Sequence, residues 1–193
     1  MPVTRRKEIG RDRILEAAEA VILDSGGRHL TLDAVAERAG ISKGGLTYSF
    51  PTKDALVAAA LEREIARFEA TVAARIRSPR DGRPERLLAY VEAMLDEDEP
   101  TSRRAAFLMT SLLHRPEMLE PVRGYYRKLF ALFSAEAGDE PEARQAILAV
   151  EGVFLLRGLN LVSVGEGDWR SILTHARETL LRRTEGVRCP QGE

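Results

Sequence analysis

Apolar residues recur at the three- and four-residue intervals of an α-helix along almost the whole chain. The alternation that a half-buried strand requires is nearly absent, and Pro/Gly clusters divide the chain into helix-sized segments. Because an apolar stripe must be buried against other elements, this pattern predicts an all-α fold. We expect about nine helices, at residues 5–24, 32–39, 43–49, 53–77, 84–96, 102–114, 117–137, 141–164 and 168–185.

Helix boundaries are marked by residues with capping chemistry. Gly40 suits the left-handed position that ends a helix, and hydroxyl or carboxylate side chains can accept the first orphan N–H groups. These stops predict a three-helix N-terminal domain at 1–53, a C-terminal helical bundle at 54–186 and a disordered tail at 187–193. The predicted N-caps are Thr4, Thr31, Ser42, Thr52 and Asp168.

Composition excludes several classes of protein. The lone Cys189 cannot form a disulfide within one chain, and the three histidines lack metal-ligand spacing. No segment resembles a leader or a membrane span, so we expect a cytoplasmic protein without a cofactor or metal. The net charge is -1, but residues 1–53 hold nine Lys/Arg against seven Asp/Glu. That small excess is weak support for a nucleic-acid partner.

Residues 31–50 contain two short helices joined by a tight turn at Gly40. Small or aliphatic residues stand where the two helices would cross, as in helix-turn-helix units that enter the major groove. The second helix is unusual because Gly44 and Gly45 weaken it, while its remaining side chains offer hydroxyls and one lysine. Small residues allow close approach to another surface. The inward-facing set is Val35, Ala36, Ala39, Ile41 and Leu46.

The run from Ile41 to Leu56, ISKGGLTYSFPTKDAL, resembles the signature of the TetR family of bacterial regulators. Upstream, Ile14-Leu15 and Thr31-Leu32 also resemble that family's pattern, so the resemblance covers residues 11–57. It implies a DNA-binding function, in which Phe50 packs in the core. The positions that it assigns to DNA contact are Thr31, Ser42, Lys43, Gly44, Gly45, Thr47, Tyr48 and Lys53.

The chain departs from the family pattern at Thr47, where tyrosine is usual, and at Ser49, where histidine or tyrosine is common. The outward tyrosine here is Tyr48. The basic run Arg5-Arg6-Lys7 suggests a flexible cationic arm ahead of the first helix, which could add phosphate or minor-groove contacts. A solvated basic terminus is the alternative.

The C-terminal domain suggests dimerisation. Residues 147–164 are apolar nearly all round, so they need cover on more than one side, and the last helix has one apolar stripe. Two helices from each of two chains could form a four-helix bundle, although burial within one chain is the alternative. Glu151 and Arg157 need polar partners if they are buried. The predicted homodimer interface comprises Val153, Leu156, Leu161, Trp169, Ile172, Leu173, Ala176 and Leu180.

Met and aromatic residues in the predicted helices between 84 and 137 could line an adaptable pocket for a small, largely apolar effector. The alternative is an ordinary core. His114 and Asn160 could orient the ligand. The full predicted pocket set is Tyr90, Met94, Phe107, Leu112, His114, Tyr126, Phe130 and Asn160.

Together these features predict a transcriptional repressor that binds a palindromic double-stranded DNA operator as a homodimer and leaves it when a small molecule binds. We do not expect an enzyme, because no nucleophile–base pair, phosphate loop or metal cluster is evident. An activator remains an alternative, as does an interaction protein that has kept the motif without binding DNA.

Overall fold

A computed structural model describes residues 3–25, 29–76, 85–137 and 140–186. All regular secondary structure in these ranges is helical, which confirms the predicted all-α class with about nine helices. The helices are α1 (Val3–Ser25), α2 (Leu32–Ala39), α3 (Lys43–Ser49), α4 (Lys53–Arg75), α5 (Glu85–Leu95), α6 (Glu99–Ser111), α7 (Glu120–Leu132), α8 (Pro141–Gly158) and α9 (Glu166–Gly186). The predicted tail at 187–193 lies outside the described residues.

Helix α1 begins earlier than the sequence predicts. Because its first residue is Val3, Thr4 lies inside the helix and is not its N-cap. The basic run Arg5-Arg6-Lys7 is therefore part of α1, and the prediction of a flexible arm ahead of the first helix is wrong.

Two later helices, in contrast, are shorter than predicted. In place of the one helix predicted over 117–137, the chain forms a 3₁₀ turn (Pro116–Met118), then α7, then a π-helical turn (Phe133–Ala137). Pro121 suits the first turn of α7 because its missing N–H has no partner there. Helix α8 ends at Gly158, and Asn160 follows with a φ of 53°. Asp168 lies in the first turn of α9 and is not its N-cap.

The chain divides into two compact units, one made of residues up to Glu64 with Pro100–Pro121, and one made of Ile65–Glu99 with the residues after Pro121. This packing division differs from the predicted boundary at residue 53. Two long-range ion pairs lie within the first unit, where Arg104 and Arg115 contact the Glu64 and Asp54 carboxylates of α4. The boundary at residue 53 between a DNA-binding and an effector-binding domain stays a prediction.

In the first unit, α1, α2, α3 and the beginning of α4 share one apolar core. The turn between α2 and α3 has Gly40 in the left-handed conformation (φ 63°, ψ 39°). Thr31 caps α2 by accepting a hydrogen bond from Ala34 N, and Thr52 caps α4 by accepting one from Ala55 N. Its fully buried side chains include Ala18, Val35, Leu46, Phe50, Leu56, Leu61 and Leu108.

In the second unit, α9 packs against α5 and α8. This packing corrects part of the predicted dimer interface, since the apolar stripe of α9 is already buried within one chain. Trp169 and Leu173 have no exposed surface, so they have none to lose to a partner. Leu180 likewise has no exposed surface, and Val153 and Ala176 keep only 5% and 1% of theirs. Leu156 and Leu161 remain exposed and Ile172 half-buried.

Among the helices of the described residues, none is both long enough and apolar enough to cross a lipid bilayer.

Gly40→Ala should lower the free energy of unfolding by about 1–2 kcal/mol, because a left-handed backbone strains an L side chain. The added Cβ would also lie 3.1 Å from the Arg13 guanidinium. Urea denaturation followed by circular dichroism measures the change. Gly10→Ala is the matched control, because among the described residues only the adjoining backbone of α1 lies near its Cβ position. Equal stabilities of the two variants would contradict the role of Gly40.

Candidate nucleic-acid interface and ligand cavity

Helix α3 is too short and too rich in glycine to be stable alone. Ser42 accepts a hydrogen bond from Gly45 N at its beginning, and Leu46 is its fully buried anchor. At its other end Phe50 is buried, as expected for a packing residue, and its N–H donates to Leu46 O. The outer side of α3 is thereby held toward solvent.

The residues predicted to contact DNA lie mostly on exposed surface. Tyr48 is 77% exposed, and Lys53 stands exposed at the first position of α4. Apart from the adjoining backbone of α3, no described atom would lie within 4 Å of a Cβ built on Gly44, so this part of the helix offers open space for close backbone approach. The exposed members of the predicted set are Thr31, Ser42, Lys43, Gly44, Gly45, Tyr48 and Lys53.

Thr47 differs from the other predicted contacts. It is half-buried, and its hydroxyl donates to the backbone carbonyls of Lys43 and Gly44 at 3.0 and 3.2 Å. Lys43 in turn pairs with Asp33 of α2, with 2.9 Å between Nζ and Oδ1. The lysine would have to exchange this carboxylate for a phosphate or a base edge on binding DNA.

Arg11 of α1 lies beside the end of α3, a position that the sequence reasoning missed. Its guanidinium stands 4.3 Å from the centre of the Phe50 ring and donates to the Ser49 carbonyl at 3.4 Å. The side chain is exposed and 38 residues from Ser49 in sequence, so only the packing of α1 adds this cation to the surface that carries Lys43 and Lys53.

The second unit contains an open cavity of about 520 Å³. It is lined by the part of α4 that belongs to this unit together with α5 and α7, and its walls are mainly apolar. The aromatic and aliphatic side chains of this wall include Phe68, Val72, Tyr90, Tyr125, Leu129 and Leu132. Phe68 and Val72 are not in the pocket set predicted from the sequence.

The structure does not bring the predicted pocket residues together. Tyr90 lines the cavity, whereas Phe107, Leu112 and His114 belong to the first unit. His114 is exposed, with its Nε2 3.4 Å from the Asp54 carboxylate. Phe130 and Asn160 are exposed, and Met94 is buried in α5 outside the cavity wall. Tyr126 stands behind the wall, with its ring centre 5.3 Å from that of Tyr125.

Glu151 of α8 finds the polar partners that the sequence analysis said it would need. Tyr90 donates its hydroxyl to Oε1, and Tyr126 donates to Oε2 at 2.9 Å. Burial raises the pKa of Glu151 above its ordinary value, an effect that these two hydrogen bonds oppose. Burial above all, and also the neighbouring Glu151, raise the pKa values of Tyr90 and Tyr126, so both hydroxyls remain protonated donors.

The raised pKa of Glu151 predicts a pH-dependent contribution to stability. A carboxyl whose pKa is higher in the folded than in the unfolded protein stabilises the fold at a pH below its ordinary pKa. That contribution is lost as the pH rises through the folded-state pKa. Relative to Glu151→Gln, the wild-type free energy of unfolding should fall as pH rises above 4.5, by about 1.4 kcal/mol per unit of raised pKa.

Urea titrations at successive pH values measure this difference. Glu142→Gln is the control, since Glu142 is an exposed carboxylate of the same helix. Parallel pH profiles for Glu151→Gln and the wild type would contradict the prediction.

In the part of the chain described by the structure, no three His, Cys, Asp or Glu side chains are grouped so that they could hold a metal ion.

Known families and proteins match this chain across both units. Residues 14–60 match the model of bacterial regulatory proteins of the tetR family, and residues 84–181 match the tetracyclin repressor-like C-terminal domain. The HTH-type transcriptional regulator BetI of Cronobacter sakazakii is 31% identical over 173 residues, which cover 87% of this chain and 86% of BetI.

Solved structures agree with these matches. The multidrug binding protein EbrR, complexed with ethidium, superposes with a TM-score of 0.65 at 27% identity, over 90% of this chain and 98% of that one. A TetR family member from Streptomyces coelicolor A3 gives a TM-score of 0.64 at 27% identity, over 90% and 97% of the two chains. This chain belongs to the TetR family of bacterial regulatory proteins and is a DNA-binding, helix-turn-helix transcriptional regulator.

Proposed function

We propose that the protein is a homodimeric repressor that holds a palindromic operator through two copies of α3 and releases it when a small molecule enters the second unit. The outward, capped α3 is the observation that carries the DNA-binding part. Its exposed hydroxyls, glycines and lysine suit a groove surface better than a solubilising face. Thr31, Ser42 and Lys53 are proposed to contact phosphates, and Lys43 and Tyr48 to contact bases or backbone.

The cavity supports the effector part of the proposal. EbrR has been crystallised with ethidium, and the present chain has a largely apolar cavity of about 520 Å³ in its second unit. Helix α4 carries Lys53 at its first residue and Phe68 and Val72 in the cavity wall. A ligand that favours one position of α4 would thus bias the placement of the DNA contacts. Reciprocity requires DNA to weaken ligand binding by the same factor.

An apolar stripe on α8 supports dimerisation. Leu148 and Leu156 are 51% and 42% exposed, and Gly152 lies between them on the same face. Apart from the adjoining backbone of α8, no atom of the described residues would lie within 4 Å of a Cβ on Gly152. A partner helix approaching closely would account for both the exposed leucines and the glycine. This stripe replaces the α9 residues in the proposed interface and keeps Leu156, with Leu161 nearby.

Selection of chromosomal fragments by the purified protein, followed by footprinting and a reporter assay, tests the repressor role. A footprint that overlaps the promoter with derepression on deletion is expected. A footprint upstream of the promoter, with loss of expression on deletion, would indicate an activator instead.

Lys53→Ala should weaken binding to all DNA sequences alike, because a phosphate contact carries no sequence information. The slope of log K against log salt should become shallower by about 2 for a dimer with two such contacts. Fluorescence anisotropy at several salt concentrations measures both. Lys128→Ala is the control, since Lys128 pairs with Glu69 in the second unit. An unchanged affinity and slope for Lys53→Ala would refute the phosphate role.

Leu156→Glu should convert the dimer to a monomer, because two carboxylates would face each other across an apolar, two-fold interface. Sedimentation equilibrium measures the state, and operator affinity should fall with it. Leu23→Glu is the matched control, because Leu23 is a leucine of similar exposure (44%) on α1. A dimer of undiminished stability in Leu156→Glu would rule out this interface.

A further inference from the structure

Two kinds of cationic side chain occur in the first unit. One kind has a carboxylate partner, as where Arg38 Nη1 lies 2.7 Å from Asp24 Oδ2. The other kind is exposed and forms no ion pair among the residues that the structure describes. Its members are Arg11, Arg13 and Lys53. A cation without a carboxylate keeps its charge for an anion from outside the chain.

These three cations lie around α3. The Arg13 guanidinium is beside Gly40, in the turn that precedes α3. Arg11 lies at the opposite end of the helix, beside the Ser49 carbonyl, and Lys53 begins α4. Phosphates border a major groove on both sides, so positive charges at both ends of α3 suit the DNA backbone better than the bases.

Two contacts fix the orientation of Arg11. Its guanidinium carbon lies 4.3 Å from the centre of the buried Phe50 ring, and Nη1 donates to the Ser49 carbonyl at 3.4 Å. A guanidinium that stacks through its flat face keeps its N–H groups at the edges. Within the described residues, Nε and Nη2 of Arg11 have no hydrogen-bond partner. The edge that these two nitrogens form is therefore open to a ligand.

Arg104, in the same unit, uses this edge for a pair of oxygens. Its Nε and Nη2 hold the two oxygens of the Glu64 carboxylate at 3.1 and 2.8 Å. A phosphate offers two oxygens in a similar arrangement, which arginine binds in the same bidentate way. Arg11 is exposed, so a phosphate can reach it. Its charge also opposes the repulsion between a phosphate and the last carbonyls of α3.

We propose that Arg11 of α1 is a further DNA-contact residue, which holds a backbone phosphate through its Nε and Nη2 edge beside the end of α3. A phosphate contact carries no sequence information, but it fixes the position and orientation of α3 in the groove. The inference rests on the proposed placement of α3 in an operator and adds α1 to the helices that bind DNA.

Arg11→Gln removes the charge and keeps an amide that can donate to the Ser49 carbonyl. Its affinity for a selected operator fragment should fall about tenfold, and the slope of log K against log salt should become shallower by about 2 for a dimer. Arg11→Lys keeps the charge and should retain the wild-type slope. Arg38→Gln, which removes an exposed arginine of the same unit, should change neither quantity. Fluorescence anisotropy at several salt concentrations measures both.

Three outcomes of these titrations would overturn the inference. The first is an unchanged slope for Arg11→Gln, and the second is an equal reduction for Arg38→Gln, which would reflect net charge alone. The third is an equal reduction for Arg11→Lys and Arg11→Gln, because stacking on Phe50 would then carry the effect. Circular dichroism should show Arg11→Gln to be folded. Loss of the fold would give the side chain a structural role and overturn the inference too.

Replacing operator phosphates one at a time by neutral methylphosphonates tests the contact from the DNA side. At one phosphate of each half-site the replacement should weaken wild-type binding at least about fivefold and Arg11→Gln binding less than about twofold. The phosphate that Lys53 contacts should be a different one. Replacements that weaken both proteins alike at every position would mean that Arg11 has no phosphate partner.

Lys53→Ala separates this inference from the proposed function. A shallower slope for Lys53→Ala with an unchanged slope for Arg11→Gln would refute the α1 contact alone and leave operator binding by α3 intact. Reductions in both variants that add up to about 4 in the double variant would support two separate phosphate contacts in each chain. A wild-type protein that retains no duplex at low salt would refute the proposed operator binding and the α1 contact with it.

Discussion

The anchoring of α3 by Leu46 is the contact on which the DNA-binding surface depends. A seven-residue helix with two glycines has little stability of its own, so burial of this leucine and the caps at both ends must hold it. Gly40 sets the angle at which α3 leaves α2, and Phe50 closes the other end. The two glycines that weaken α3 also leave its outer face without large side chains, which allows close contact with a groove.

Buried carboxylates have different kinds of partner in the two units. Glu64 is matched by Arg104, which stabilises packing between α4 and α6 and leaves no charge to spare. Glu151 instead accepts hydrogen bonds from the hydroxyls of Tyr90 and Tyr126. The ion pair compensates the charge of its carboxylate, whereas the two hydroxyls satisfy only hydrogen-bonding capacity.

Local features of the fold could be predicted from the sequence, and long-range ones could not. Thr31, Ser42 and Gly40 act through atoms three or four residues away, so their types alone identified the turn and both helix beginnings. The apolar stripe of α9 was identified too, but not which surface covers it. Trp169 has no exposed surface within one chain, whereas Leu148 remains half exposed. The periodicity of apolar residues indicates that a helix face is apolar, but it does not indicate which element packs against that face.

The sequence by itself determined the all-helical class, the helix-turn-helix and its outward residues, because these depend on spacing, capping and the left-handed glycine. Tertiary structure alone decided the composition of the cavity and the partners of Glu151. Tyr90 and Tyr126 lie 61 and 25 residues from that carboxylate, and only the packing of α5, α7 and α8 brings them to it. Contacts at such separations depend on how several helices pack together, which no local pattern encodes.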